Sequence, residues 1–244
     1  MKKSILIFII LPLFLIHSPF KMLSQNVEDN INAKKEKLKQ AKNDRLMWGI
    51  YTDIWQKAPD SLNIKSVNQG GNIQAMVDYH LFGNFSIGIG IGISSHNLYS
   101  SCWIIPERDT TSKLTGKTIF YKIPDTINFK KNKLSVTYLD LPIELRFRGK
   151  NSESAKVALG FKGGLTINNH TKYKGDEYIY GDRTTIKEKK YDNSNILNYR
   201  YGITGRIGYK WINLNIFYSL TNLFKNNKAP EMYPVSIGIM ITPF

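Results

Sequence analysis

The chain has 244 residues, of which 42% are hydrophobic, and its 34 lysines and arginines outnumber 19 acidic residues to give a formal net charge of +15. The length suits one domain, and a single cysteine, Cys102, excludes an internal disulfide and a cysteine-based metal cluster. The lysines fall mostly in loop-like stretches and not in one aromatic-interleaved patch, so nucleic acid is not a predicted partner. The predicted partners of this basic surface are anionic lipid or glycan headgroups.

The first 24 residues have the features of a secretory signal. Lys2 and Lys3 precede an apolar run over residues 5–16, and the small residue Ser24 precedes Gln25. The run has about 12 residues, whereas a transmembrane helix needs roughly 20. We therefore predict a signal peptide over residues 1–24 and export of the protein.

Residues 25–45 form a charged segment of a different kind. Residues 33–42 are good helix formers, but few apolar side chains recur at helical spacing. The segment is expected to be a solvated tail, partly helical or disordered, in the periplasm. A partner-binding helix is the alternative.

From residue 46 onward the pattern changes to a two-residue period, which is typical of β-strands. The first three predicted strands cover residues 46–54, 73–81 and 85–99, and the third alternates isoleucine with glycine from Ile87 to Gly92. One face of each strand is apolar and the other is small or polar. Strands of this kind form a sheet that has one apolar face and one small or polar face.

Five more strands are predicted over residues 134–148, 157–167, 199–210, 212–220 and 235–241. In the fourth strand the apolar positions change parity near Tyr138, and Pro142 cannot donate to a strand ladder. We expect either a β-bulge or an exit from the membrane at this point.

The connections between these strands alternate in length, being long after the first, third and fifth strands and short after the second, fourth and sixth. This pattern predicts an all-β fold, a transmembrane antiparallel up-and-down β-barrel of about eight strands over residues 46–244, whose apolar face meets outer-membrane lipid. Residues 101–132 and 169–195 would be external loops, and both termini would be periplasmic. Aromatic residues at the strand ends predict two interfacial girdles, formed by Trp48, Tyr79, Phe85, Tyr99, Tyr138, Phe147, Tyr199, Tyr209, Trp211, Tyr218 and Tyr233.

Charged residues of both signs fall on the predicted lumen face. Eight strands leave an interior just wide enough for side chains, so these residues are expected to form a polar network. Glycines on the same face would make room for long arginine and lysine side chains. A narrow path for small solutes or ions is the alternative. The predicted network residues are Asp53, Asp78, Glu144, Arg146, Lys162, Arg200 and Arg206.

No catalytic, metal-binding or cofactor-binding residue is predicted, and we do not expect an enzyme. The histidines beyond residue 24 are His80, His96 and His170, and none has a recognisable metal-ligand spacing. One alternative is an outer-membrane lipid-modifying enzyme that uses Ser94 and His96, which share a strand face. Such an enzyme needs a nucleophile, a base and an orienting group together.

Four phrases of the sequence carry a family resemblance: YLDLPIEL at 138–145, GFKGGL at 160–165, YSLTNL at 218–223 and the glycine-punctuated end at 237–244. With the predicted signal, they make the chain similar to porin-family outer-membrane β-barrel proteins of Bacteroidota, the group that includes PorT-like proteins. The resemblance implies a structural or interaction role in the cell envelope, accessory to protein secretion. It also implies contact with secretion-system proteins, and with the barrel-assembly machinery through the terminal Phe244.

Overall fold

A computed structural model of the chain describes residues 46–149, 155–179, 182–191 and 195–242. The predicted signal peptide (1–24), the charged tail (25–45) and the terminal Phe244 lie outside these residues. The described part of the chain is built from β-strands and turns, and none of it forms a helix long and apolar enough to cross a membrane.

The structure contains eleven β-strands in the described ranges. In chain order they are β1 (Leu46–Gln56), β2 (Gln69–Phe82), β3 (Phe85–Tyr99), β4 (Cys102–Arg108), β5 (Leu114–Lys122), β6 (Phe129–Arg148), β7 (Ala155–Ile179), β8 (Asp182–Lys190), β9 (Tyr199–Tyr209), β10 (Ile212–Ser219) and β11 (Tyr233–Ile241).

Eight of these strands form a closed antiparallel barrel. Its order is β6, β3, β2, β1, β11, β10, β9 and β7, and pairing of β6 with β7 closes the ring. The predicted all-β barrel and its count of eight strands are confirmed. In a closed ring each strand has a hydrogen-bonded neighbour on both sides. Strands that lie in lipid require this, because lipid cannot satisfy free backbone N–H and C=O groups.

The predicted loops contain additional strands that the alternation pattern does not reveal. β4 and β5 form a separate hairpin between β3 and β6. β7 continues for 25 residues, and beyond the barrel wall it pairs with β8 instead of β9. These segments show no sustained two-residue alternation of apolar and polar side chains.

The connections confirm the predicted alternation of short and long. The short connections lie on one rim, here called the turn end: Gly83 and Asn84 join β2 to β3, Lys210 and Trp211 join β9 to β10, and β6 ends at Arg148 close before β7 begins at Ala155. The longer connections lie on the opposite rim, the loop end. β1 leads into a connection at the loop end, so β1 begins at the turn end. β11 follows a connection at the loop end, so β11 ends at the turn end.

Side chains alternate between the outside and the lumen of the barrel. In β10 the outward Leu214 is 58% exposed, whereas the inward Asn213 is 1% exposed. The outward residues of the barrel strands are apolar and the inward ones mostly polar. This arrangement is the reverse of a water-soluble protein and matches a barrel wall that faces lipid.

The irregularity predicted near Tyr138 is a β-bulge. The register between β6 and β7 shifts between Thr137 and Tyr138, so that β7 contributes one extra residue, Ile167. The change in apolar pattern on β6 is not a change of face, because Leu134 and Val136 point inward, as Asp140 does. On this inward face the side chains are polar toward the turn end and apolar toward the loop end, so the filling of the lumen changes from polar to apolar near Tyr138.

Pro142 interrupts one ladder without shifting it. β3 pairs with β6 at Ile89 and Ile143 and again at Gly92 and Asp140, in an unchanged register, but not at the positions between. The missing rungs follow from the absent N–H of proline.

The aromatic girdles are present with one correction. At the turn end Phe85 contacts both Phe82 and Phe147, and at the loop end Tyr218 contacts Tyr233. Tyr138 does not belong to a girdle, because it points inward and is 5% exposed. Its parity on β6 is that of the lumen residues.

Glycines on the lumen face make space for large side chains. A Cβ atom at Gly88 would lie 2.6 Å from the guanidinium carbon of Arg146. We expect Gly88→Val to destabilise the barrel by about 1–3 kcal/mol, the typical effect of overpacking. Gly163 has nothing within 4 Å of such a Cβ, so Gly163→Val is the control. Urea titration of both variants in lipid vesicles measures the difference, and equal unfolding midpoints would contradict the assigned packing.

Candidate functional site

The lumen is filled by four layers of side chains. From the turn end to the loop end these are a charged lower cluster, a methionine layer, a charged upper cluster and an apolar cap. The methionine layer consists of Met47, Met76 and Met240, each at most 2% exposed. It separates the two charged clusters.

The lower cluster pairs two acids with arginines. Arg146 donates from Nη1 to Asp78 Oδ1 at 2.5 Å and from Nε to Glu144 Oε2 at 2.9 Å. Arg206 donates to the same Glu144 oxygen at 2.9 Å, and Arg148 pairs with the other oxygen of Asp78. Arg146 is 1% exposed, and a buried arginine of this kind is stable only when its charge and donors are satisfied.

The upper cluster is centred on a bidentate ion pair. Arg200 Nη2 donates to both Asp140 oxygens, at 2.9 and 3.0 Å, and to Ser94 Oγ at 2.6 Å. Ser94 donates in turn to Asp140 at 2.6 Å, and the Lys162 ammonium lies 3.9 Å from the same carboxylate. Asp140 therefore neutralises much of the charge of two buried cations.

Aromatic rings cover the cations of the upper cluster. The Arg200 guanidinium lies 3.9 Å from the centroid of the Tyr138 ring and 4.9 Å from that of Phe217. Lys162 Nζ lies 4.0 Å from the Phe217 centroid. These cation–π contacts stabilise charges that water does not reach.

His96 extends the upper cluster toward Asp53. Its Nε2 lies 2.5 Å from Arg200 Nη1 and 3.0 Å from the Tyr51 hydroxyl, and its Nδ1 lies 2.9 Å from Asp53 Oδ1. Because a guanidinium only donates hydrogen bonds, Nε2 is the acceptor and Nδ1–H donates to Asp53. Ser236 donates to the same Asp53 oxygen at 2.6 Å.

The structure places all seven predicted lumen residues inside the barrel and divides them between the clusters. Asp78, Glu144, Arg146 and Arg206 lie in the lower cluster, and Asp53, Lys162 and Arg200 lie in the upper one. They form no single lining along the axis, because the methionine layer intervenes.

Sequence reasoning missed several members of these clusters. Asp140 shares the inward parity of Glu144 and is fully buried, so strict alternation along β6 could have identified it. Asn213, which accepts from Arg206 at 3.2 Å, could have been found in the same way on β10. Tyr51 belongs to the network through its hydroxyl, but a hydrophobicity pattern counts tyrosine as apolar and so does not identify it as a network residue.

The apolar cap closes the lumen at the loop end. Its members come from β3, β4 and β6 and from the connections that follow β1, β8 and β10; they are Leu62, Leu98, Cys102, Leu134, Val136, Tyr138, Ile196, Leu223, Phe224 and Met232. Backbone hydrogen bonds join the connections after β8 and β10, from Leu197 N to Leu223 O at 2.9 Å and from Lys225 N to Asn195 O at 2.9 Å, and Thr118 N of β5 donates to Lys228 O at 2.7 Å. The loops thus pack into a joined lid over the charged clusters.

Ser94 and His96 lie close together but are not arranged as a nucleophile and its base. The Ser94 hydroxyl donates to Asp140 and accepts from Arg200, while His96 contacts Tyr51, Asp53 and Arg200. Ser94 and His96 are 1% and 2% exposed beneath the apolar cap. Within the described residues no group of three or more histidine, cysteine or acidic side chains could hold a metal ion.

Comparison with known families gives one match. The family described as "Outer membrane protein beta-barrel domain" matches residues 51–225, a range that begins in β1 and ends in the connection before β11. No curated protein matches the chain.

Proposed function

Since this chain belongs to the outer membrane protein beta-barrel domain family and is an integral outer-membrane barrel, we propose that it acts as a structural or interaction module and not as a pore or an enzyme. The observation that carries this proposal is the filled lumen. Two charged clusters, a methionine layer and an apolar cap occupy the space that a solute or substrate would need.

The most specific form of the proposal is an accessory role in protein secretion, as the PorT-like resemblance implies. The surfaces that we propose for a partner are the joined loops at the loop end and the charged tail predicted over residues 25–45. Support for an interaction role comes from the backbone hydrogen bonds that connect the described loop residues to one another and so order the exposed surface at the loop end. Binding to a preorganised surface loses less conformational entropy.

We infer a signal peptide over residues 1–24, a periplasmic tail over 25–45 and periplasmic termini. Short connections on one rim and long ones on the other are typical of outer-membrane barrels, in which the short turns are periplasmic. Phe244 at the chain terminus is proposed as the contact for the barrel-assembly machinery.

Single-cysteine labelling in intact cells tests the orientation. The native Cys102 is 1% exposed and should not react with a membrane-impermeant maleimide. We expect Thr110→Cys, in the exposed turn between β4 and β5, to be labelled in intact cells. Asn84→Cys, in the turn between β2 and β3, should be labelled only after the outer membrane is opened. The reverse result would place the termini outside the cell.

Cross-linking followed by mild detergent extraction tests the accessory role. Proteins that co-purify with the full chain from outer membranes are identified and compared with those from a strain whose chain lacks residues 25–45. We expect secretion-machinery components to co-purify with the full chain. They should be lost when residues 25–45 are removed or when the exposed loop residues are substituted. An unchanged set of secreted proteins in a deletion strain, with no reproducible partner, would contradict it.

A further inference from the structure

Six lysines form two rows across the strands that project beyond the barrel wall. The β6–β7 and β7–β8 registers place them directly opposite one another, with Lys133, Lys172 and Lys189 in the first row and Lys131, Lys174 and Lys187 in the second. These six residues are called the lysine ladder.

All members of the ladder lie on one face of this three-stranded extension, because opposed residues in a sheet share a face and alternate residues of one strand do too. On β6 that face is the outward one, since Lys131 and Lys133 share the parity of Leu139. The bulge at Ile167 brings the even-numbered residues of β7 to the same side, and Tyr173 between them is buried. The ladder therefore continues the lipid-facing surface of the barrel.

The height of the ladder fits a large headgroup. Lys133 is six residues beyond Leu139, the last outward apolar residue of β6, which is about 20 Å along a strand and about 15 Å along the membrane normal at a typical tilt. Phospholipid headgroups add only about 5–8 Å to each leaflet. Thr137 on β6, and Asn168 and His170 on β7, occupy the intervening polar zone on the same face, where Ser135 is buried.

Among the residues that the structure describes, little negative charge lies on the face of the ladder. Burial, followed by the charges of Lys131, Lys172 and Lys189, lowers the pKa of Lys133 to about 8. Its ammonium donates to a neutral partner, Asn97 Oδ1, at 2.5 Å. Among the described side chains on this face the acidic residue is Asp176, which lies beyond the ladder and accepts a hydrogen bond from Thr185.

Like charges that lie directly opposite one another on neighbouring strands repel and destabilise a sheet, and no role of these lysines in the packing of the barrel offsets this cost. An anionic partner would remove that repulsion. Lysine is a common ligand for phosphate, and lysines near an anionic membrane surface strengthen binding to it. The position directly above lipid-facing residues indicates a lipid of the same leaflet as this partner.

We propose that the lysine ladder binds the phosphate groups of a phosphorylated glycolipid in the outer leaflet. This proposal rests on the orientation given above, in which the loop end faces the outside. The polar residues below the ladder would meet the sugar portion, and the apolar barrel wall would meet the acyl chains.

Binding of lipid A to the full barrel in phosphatidylcholine nanodiscs tests the ladder. Replacing Lys133, Lys172 and Lys189 together by glutamine is expected to weaken binding about 100-fold, since each lysine near such a surface is worth about five-fold. The arginine versions of the same three substitutions should retain binding, which separates charge from folding. The matched control replaces three exposed lysines outside the ladder, Lys113, Lys117 and Lys130, by glutamine and should leave binding unchanged.

Dephosphorylated lipid A should bind the native barrel as weakly as lipid A binds the glutamine variant. Equal binding of lipid A to the native and glutamine proteins would overturn the proposal. So would binding of phosphatidylglycerol as tight as that of lipid A, because the sugar would then contribute nothing. If the ladder binds lipid A but cysteine labelling places the loop end in the periplasm, the binding chemistry holds and the assigned leaflet is wrong.

Discussion

Replacing Arg200 by methionine is expected to destabilise the barrel by about 3–5 kcal/mol, the usual effect of leaving one partner of a buried ion pair without the other. The variant loses both hydrogen bonds to Asp140 and the donors to Ser94 and His96. Methionine fills much of the same volume, so the effect reports charge and hydrogen bonding more than a cavity. Urea titration in lipid vesicles, followed by the heat-modifiable gel shift, measures the loss.

Two further variants isolate the cause. Arg108→Met, in the exposed end of β4, makes the same chemical change outside the barrel wall and should be close to neutral. Adding Asp140→Asn to Arg200→Met leaves one acid and one cation in the upper cluster, Asp53 and Lys162, and should recover part of the stability because the net charge is balanced again. A loss below about 1 kcal/mol for Arg200→Met would show that the upper cluster does not support the barrel.

Placing a charge on the outer wall is expected to have the second largest effect. Ile143 is 50% exposed, lies in the middle of the outward apolar residues of β6, and pairs with Phe161 on β7. An arginine near the bilayer midplane of a barrel is destabilising by about 2–4 kcal/mol. We expect Ile143→Arg to unfold at lower urea concentration in lipid vesicles by this amount.

The matched control lies on the same strand and the same face. Thr137 is at the bulge beyond the apolar band, so Thr137→Arg should cost at most about 1 kcal/mol, as charges do near the interface. A water-facing wall would tolerate both arginines equally. That outcome would contradict the assignment of the exposed apolar surface to lipid.

The barrel wall could be predicted because its sequence pattern has one physical cause. Lipid selects apolar residues at outward positions within the bilayer, and the narrow lumen selects small or polar ones, so β10 shows the two-residue period throughout and β3 shows it from Phe85 to Ser94. The lengths of the connections gave the up-and-down order. The lumen residues followed from parity, which is why Glu144 and Arg146 were found on the same face.

The loop end could not be predicted in the same way. β4, β5 and β8 show no sustained two-residue alternation in the sequence, although Cys102, Ile104 and Phe120 of β4 and β5 pack in or against the apolar cap. The change from polar to apolar lumen residues at Tyr138 was interpreted as irregularity of the strand, although it marks the beginning of the apolar cap. Which cation pairs with which acid depends on strand register, and a sequence of alternating residues does not specify register across the ring.

Planar-bilayer recording of the native protein purified from outer membranes tests whether the lumen is closed to ions. A barrel whose lumen is filled by two paired charge clusters, a methionine layer and an apolar cap should give no stable unitary conductance at moderate voltage, while an open porin in the same bilayers does. Reproducible unitary steps that scale with the amount of native protein would contradict the filled lumen and favour the narrow-channel alternative.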